Sequence, residues 1–273
     1  MGLSYYVHLF NLRTYREKAW PAYQAFFERD ESAPLILLLQ EIIRGFDVNA
    51  ALPGPTLWDK ELYEESIGIL DGSVYYAPGA NYETGRSGRK TTRENKRIYV
   101  RGGLTYMILM ALCVPCDKGV NPEQNMTRSP LIPYLYEHSE WIEDRFTSVI
   151  ELRGGMLEIP EGEDALELFS EEDLQEFSAE LAKIPAPKGE IEIKKQLEQG
   201  QHRMRESLRQ QVPEGSPEFK EFYDFYSTLY QQRSTGENLR NEGENLRKEY
   251  DNLCAIVNLA VEDADLTLTR SLL

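Results

Sequence analysis

The densest chemistry in this sequence is a basic run. From Gly85 to Arg101 the chain carries Arg86, Arg89, Lys90, Arg93, Lys96, Arg97 and Arg101 against a single acid, Glu94. Gly88, Ser87, Thr91 and Thr92 lie among these cations. Backbone N–H groups, small residues and guanidinium forks are the parts from which phosphate cradles are built. The seven cations are therefore candidate anion-binding residues for a phosphorylated or nucleic-acid ligand. The run is not a P-loop: five residues separate Gly79 from Gly85 instead of four, and Arg86 stands where the lysine belongs. A solvated loop, or one docked on the acidic stretch from Glu161 to Glu180, fits the same charge pattern.

Cys113-Val114-Pro115-Cys116 has the spacing of a dithiol. A reactive dithiol opens a helix, whose N-terminus stabilises the thiolate. Here the apolar run Leu104 to Leu112 precedes the pair and Asp117-Lys118-Gly119 follows, so the cysteines fall at a helix end of the wrong polarity. Zinc would need two further ligands, and only Cys254 and three scattered histidines remain. Buried structural thiols are expected, with no metal and no cofactor. His138 shares a helical face with Leu135 and Trp141 and reads as a core histidine. Neither His8 nor His202 has a Ser or Cys nearby in a nucleophile arrangement, and the loop carboxylates form no recognisable acid/base pair.

These residues sit in a chain of 273 with 41% hydrophobic and 11% aromatic side chains, enough to build a core. No apolar run approaches the roughly 20 residues of a membrane helix, and no membrane association is expected. The opening Met1-Gly2-Leu3-Ser4-Tyr5-Tyr6 lacks the basic and apolar regions of a secretory signal. Three cysteines are too few for a disulfide framework, so a reducing cytoplasm is expected. The net charge of −16 is unevenly spread: residues 1–153 hold 17 basic and 20 acidic side chains, residues 154–273 hold 13 and 26. A field this negative argues against general nucleic-acid binding.

The front half reads as mixed. Alternation from Tyr5 to Phe10 predicts a strand covered on both faces. Pro21 must start, kink or divide the helix that follows. Leu35, Leu38, Leu39, Ile42 and Ile43 form the buried face of a second helix, with Gly45 as its C-terminal cap, and Thr56 with Asp59 caps a third. Val74 to Tyr76 and Arg97 to Arg101 read as strands, Leu104 to Leu112 as a buried helix. One helix opening at Ser129-Pro130 carries Leu131, Tyr134, Leu135, His138, Trp141, Ile142 and Phe146 on one face. Beyond a boundary between Gly154 and Gly162, Ser170 caps an acidic helix stopped by Pro185-Ala186-Pro187, and a further helix runs from about Ile191 to Gln211.

The most regular pattern follows the turn Pro213 to Pro217. Phe222, Phe225, Leu229, Gln232, Gly236, Leu239, Gly243, Leu246, Tyr250, Leu253, Val257 and Ala260 form a heptad seam in one phase. Its two glycines, within the near-duplicates Gly236-Glu237-Asn238-Leu239-Arg240 and Gly243-Glu244-Asn245-Leu246-Arg247, mark places where a neighbouring backbone comes close. A continuous helix from Pro217 to Glu262 would be about 69 Å long and must find a partner, for which the preceding helix is nearest. The predicted fold is an α+β N-terminal body of mixed helices and short strands, followed by an all-α region with a long antiparallel helical hairpin. The predicted organisation is an aromatic-rich domain over 1–155, an acidic connecting helix and linker over 156–187, and a hairpin or coiled-coil-like region over 188–273. The function expected is a non-enzymatic interaction or adaptor protein, binding another protein or itself through these helices. The alternative is an enzyme or ligand-binding protein acting through the basic segment.

Overall fold

The computed structural model describes residues 5–48, 60–76, 91–115, 118–126, 130–147 and 167–272. The chain is mostly helical with one small antiparallel sheet, a mixed α+β architecture. Two compact units are present. One holds the described residues of 5–123, 167–176 and 256–272, the other those of 124–147 and 177–255. Among the described residues no helix is long and apolar enough to cross a membrane.

The first unit is organised by β1 (Tyr5–Asn11) and β4 (Leu266–Leu272), antiparallel from Tyr5↔Leu272 to Asn11↔Leu266. The sheet order is β2 (Glu123–Asn125), β1, β4, β3 (Glu167–Leu168). Val7, His8, Leu9 and Phe10 are all buried, so β1 is covered on both faces as its alternation predicts. Sequence reading assigns no element to β4, although Leu266-Thr267-Leu268-Thr269 alternates with period two. Its Arg270 is buried and donates from Nε to Glu167 Oε2 at 2.6 Å, which keeps the charge paired.

The chain leaves β1 into α1 (Leu12–Thr14), a π-helical turn Tyr15–Ala19 and α2 (Trp20–Arg29). The π turn, in which the Trp20 N–H reaches the Tyr15 carbonyl, falls just before Pro21. The helix therefore continues past Pro21, which sits in the first turn of α2. In α3 (Ala33–Val48), Leu35, Leu38, Leu39 and Ile42 are buried as predicted. Gly45 is not its cap: the helix runs three residues further. After α4 (Lys60–Asp71), only a single bridge at Tyr75 represents the strand expected over Val74 to Tyr76.

The strand expected over Arg97 to Arg101 is helical. It lies in α5 (Arg93–Tyr99) and a π turn Val100–Leu104 that lead into α6 (Thr105–Cys113). Thr92 starts α5, its Oγ1 accepting from Asn95 N at 3.2 Å. Residues four apart share a face in a helix and in a strand alike, so five residues did not separate the two. Phe10, Tyr23, Phe26, Phe27, Leu35, Leu39, Tyr63, Ile108 and Leu109 form the unit's core, each such burial stabilising by about 1.5–3 kcal/mol.

The second unit is helical: α7 (Leu131–His138), α8 (Glu140–Thr147), α10 (Glu190–Gln211) and α11 (Pro217–Arg233), with parts of α9 (Glu171–Lys183) and α12 (Gly236–Glu262). The single helix expected across residues 130–146 is divided at Ser139. Its backbone turns extended (φ −149°, ψ 110°), and its Oγ accepts from Ile142 N at 3.2 Å to start α8. Phe177 packs on Phe146 and Trp141 at ring distances of 5.6 and 5.9 Å. Tyr250 sets its ring edge-on to Tyr134 and donates to the Ile184 carbonyl at 2.7 Å.

The long helix predicted from Pro217 to Glu262 is broken between α11 and α12. Ser234 leaves helical geometry (φ −82°, ψ 8°), and its Oγ donates to the Tyr230 carbonyl at 2.7 Å. Asn238 Nδ2 donates to the Gln232 carbonyl at 2.8 Å. The Tyr230 carbonyl thus receives both the Ser234 N–H, at 3.0 Å, and its hydroxyl, while the Asn238 amide occupies the Gln232 carbonyl that the Gly236 N–H would use in a continuing helix.

Candidate functional site

The helix α11 has two different faces. Its first turn is fixed by Ser216, whose Oγ accepts from Phe219 N at 3.1 Å, and by Pro217. One face meets α10: the Tyr230 hydroxyl lies against Gly200, where a built Cβ would be 2.9 Å away. The Arg205 guanidinium sits 5.6 Å from the Tyr223 ring centre. Phe219 is buried and stacks on Tyr223 at 6.2 Å. The other face leaves Phe222, Phe225, Tyr226 and Leu229 exposed at 50, 59, 39 and 41%. Phe225 and Tyr226 pack edge-to-face at 5.4 Å, which stiffens the middle of the stripe. A depression of about 430 Å³ adjoins its C-terminal end, lined by Tyr226, Leu229, Tyr230, Gln232, Arg233 and Asn238.

The seam read from the sequence therefore divides. Phe222, Phe225, Leu229, Gln232 and Gly236 are exposed and Leu239 is half-buried. Gly243, Leu246, Tyr250, Leu253, Val257 and Ala260 are buried. A neighbouring backbone comes close at Gly243, whereas nothing lies within 4 Å of a Cβ built on Gly236.

Four cations of the basic segment lie in the first unit, directed at two helix ends. Arg93 pairs with Asp30, Nε to Oδ1 at 2.9 Å, and Asp30 is the left-handed residue that ends α2. Arg97 donates to the Phe27 carbonyl in the last turn of α2, and Lys96 to the Leu70 carbonyl near the end of α4. The Arg101 guanidinium lies 5.5 Å from the Phe27 ring centre. Cations on the last carbonyls of a helix satisfy orphan acceptors and oppose the dipole. The partners named here belong to α2 and α4 and not to the acidic stretch Glu161 to Glu180. Arg86, Arg89 and Lys90 lie outside the described residues, as do Gly79, Gly85, Thr56, Asp59, Ser129 and the boundary from Gly154 to Gly162.

Cys113 closes α6 and is buried, and burial pushes its thiol up to about 12. Cys116 lies outside the described residues. His138 is not a core residue. The break at Ser139 leaves it at the exposed C-terminus of α7, with Nδ1 2.8 Å from the Tyr134 carbonyl. The buried histidine is His8 in β1, whose charged form burial disfavours. Among the described residues no group of three His, Cys, Asp or Glu side chains converges to hold a metal ion. Comparisons with protein-family models, curated proteins and solved structures give no match.

Proposed function

We propose that this chain is a cytoplasmic, non-enzymatic interaction or adaptor protein whose docking element is an antiparallel helical hairpin formed by α10 and α11. The carrying observation is the outward stripe Phe222, Phe225, Tyr226 and Leu229 on a helix whose opposite face is already packed. Large apolar side chains, three of them aromatic, aligned over two turns are costly to leave in water and supply the anchors that interfaces use. The alternative, a phosphorylated or nucleic-acid ligand held by the basic segment, has less support because Arg93, Lys96, Arg97 and Arg101 already serve groups within their own unit. Affinity capture from the native cell with the wild-type chain, F225D and E244Q tests the reading. A protein retained by wild type and E244Q but lost with F225D supports it, provided the F225D melt is unchanged. Equal capture by all three would overturn it.

A further inference from the structure

The stripe on α11 has a symmetry of its own. Phe222 and Leu229 stand equally far from the midpoint between Phe225 and Tyr226, and so do Glu218 and Arg233. All six positions fall on one side of the helix at 3.6 residues per turn. From end to end the stripe reads acid, aromatic, aromatic pair, aliphatic, base. We infer that α11 pairs with α11 of a second copy of this chain, antiparallel about a two-fold axis at that midpoint.

This rests on the reading of α11 as a docking element and names its occupant. Under the two-fold operation Phe222 meets Leu229 of the other copy, and Phe225 meets Tyr226. Glu218 reaches Arg233 of the other copy at both ends, about 22 Å apart along the helix. An isologous contact needs a patch complementary to itself, and this patch is complementary in both apolar content and charge. The antiparallel arrangement also opposes the two helix dipoles. Arg233 has a second acid beside it, Glu242 at 2.7 Å, yet its side chain stays 57% exposed and has room for another carboxylate. The chain's net charge of −16 does not prevent the contact, because residues 188–255 carry 11 basic and 13 acidic side chains. More distant charges are screened beyond about 8 Å at physiological salt. The stripe is short, and interfaces below about 1,200 Å² are weak and transient. The pairing is thus a concentration-dependent dimer.

Sedimentation equilibrium of the full chain over about 1–200 µM tests this, a range suited to a contact of that size. The mass should rise from 31.5 kDa towards twice that value. F225D should hold the chain at the lower mass. E218R should weaken dimerisation about fivefold or more, R233E should do likewise, and the double swap E218R/R233E should restore it. Circular-dichroism melts of each variant separate lost pairing from lost folding. If R233E fails to fold, E218R remains decisive, and a dimer unaffected by it overturns the proposal. A dimer that F225D leaves intact overturns it too, as does a double swap that folds without restoring association. A chain that stays monomeric overturns self-pairing. If that monomer still captures another protein in a Phe225-dependent way, the docking role of α11 stands without it.

Discussion

Gly189 and Gly243 meet backbone to backbone. A Cβ built on Gly243 would lie 2.5 Å from Glu190 N and 2.7 Å from the Gly189 carbonyl carbon. Neither atom can move aside as a flexible side chain would, and Gly189 holds a left-handed φ of 62°. Close approach here lets the start of α10 lie directly on α12.

Replacing glycine by alanine inside a helix ordinarily stabilises by up to about 1 kcal/mol. Gly243→Ala should do the reverse, destabilising by about 1–3 kcal/mol, since the overlap is with main chain. Gly236→Ala, with nothing within 4 Å, should be neutral or slightly stabilising. Urea denaturation of the two variants gives both numbers, and equal effects would remove the close approach as a packing requirement.

The two halves of the heptad pattern should answer differently to charge. Leu246 is fully buried, so Leu246→Asp should cost several kcal/mol. Phe225, 59% exposed, should accept aspartate with little change in the melt. Thermal circular dichroism compares them directly. A large loss for Phe225→Asp would mean its face is needed by the folded monomer.

His8 makes stability depend on mild acidity. Burial lowers its pKa from 6.5 to about 4, so between those values the unfolded chain holds a proton that the folded chain excludes. Its contribution is full above about pH 6.5 and is lost as pH falls towards 4, on the order of 3 kcal/mol across the window. His8→Gln should flatten the stability profile between pH 7 and 5 relative to wild type. An unchanged slope would move the titration to other groups.

The basic segment should matter to folding more through Arg97 than through Arg93. The Arg93–Asp30 pair is 57 and 46% exposed, and its loss should cost about 0–1 kcal/mol. Arg97 bonds a carbonyl in the last turn of α2, and Arg97→Met should cost about 1–3 kcal/mol. Chemical denaturation ranks them, and the reverse order would release Arg97 from its helix-terminating role.

Buried thiols should be inert. With Cys113 raised to about 12, alkylation at pH 7.5 should be far slower in the folded chain than after unfolding. Rapid modification of Cys113 in the native state would restore the dithiol as a chemical candidate.

Within one unbroken element, side-chain spacing alone is sufficient to place the buried face. The buried face of α3 and the covered strand β1 follow from local spacing. Part of the rest depends on partners far away in sequence. Arg97 and Arg101 are helical in a structure where the Phe27 carbonyl and ring receive them, and those contacts have no local signature. The same phase that gave the seam concealed the break at Ser234, because three-four spacing survives a turn of the right length. Exposure of Phe222 and Phe225 was equally hidden, since an apolar stripe reads the same whether covered or bare.

The pairing of β1 with β4 sets a clock on synthesis. About 255 positions separate Asn11 from Leu266, and at about 5–20 residues per second the ribosome needs roughly 13–50 seconds to make them. For that interval one flank of β1 waits with its N–H and C=O groups unmatched and its apolar side chains Val7 and Leu9 without β4. A nascent strand in that condition pairs readily with whatever other strand is offered. Slower translation lengthens the wait, so the yield of native chain should fall with elongation rate unless a chaperone holds the N-terminal segment until β4 emerges.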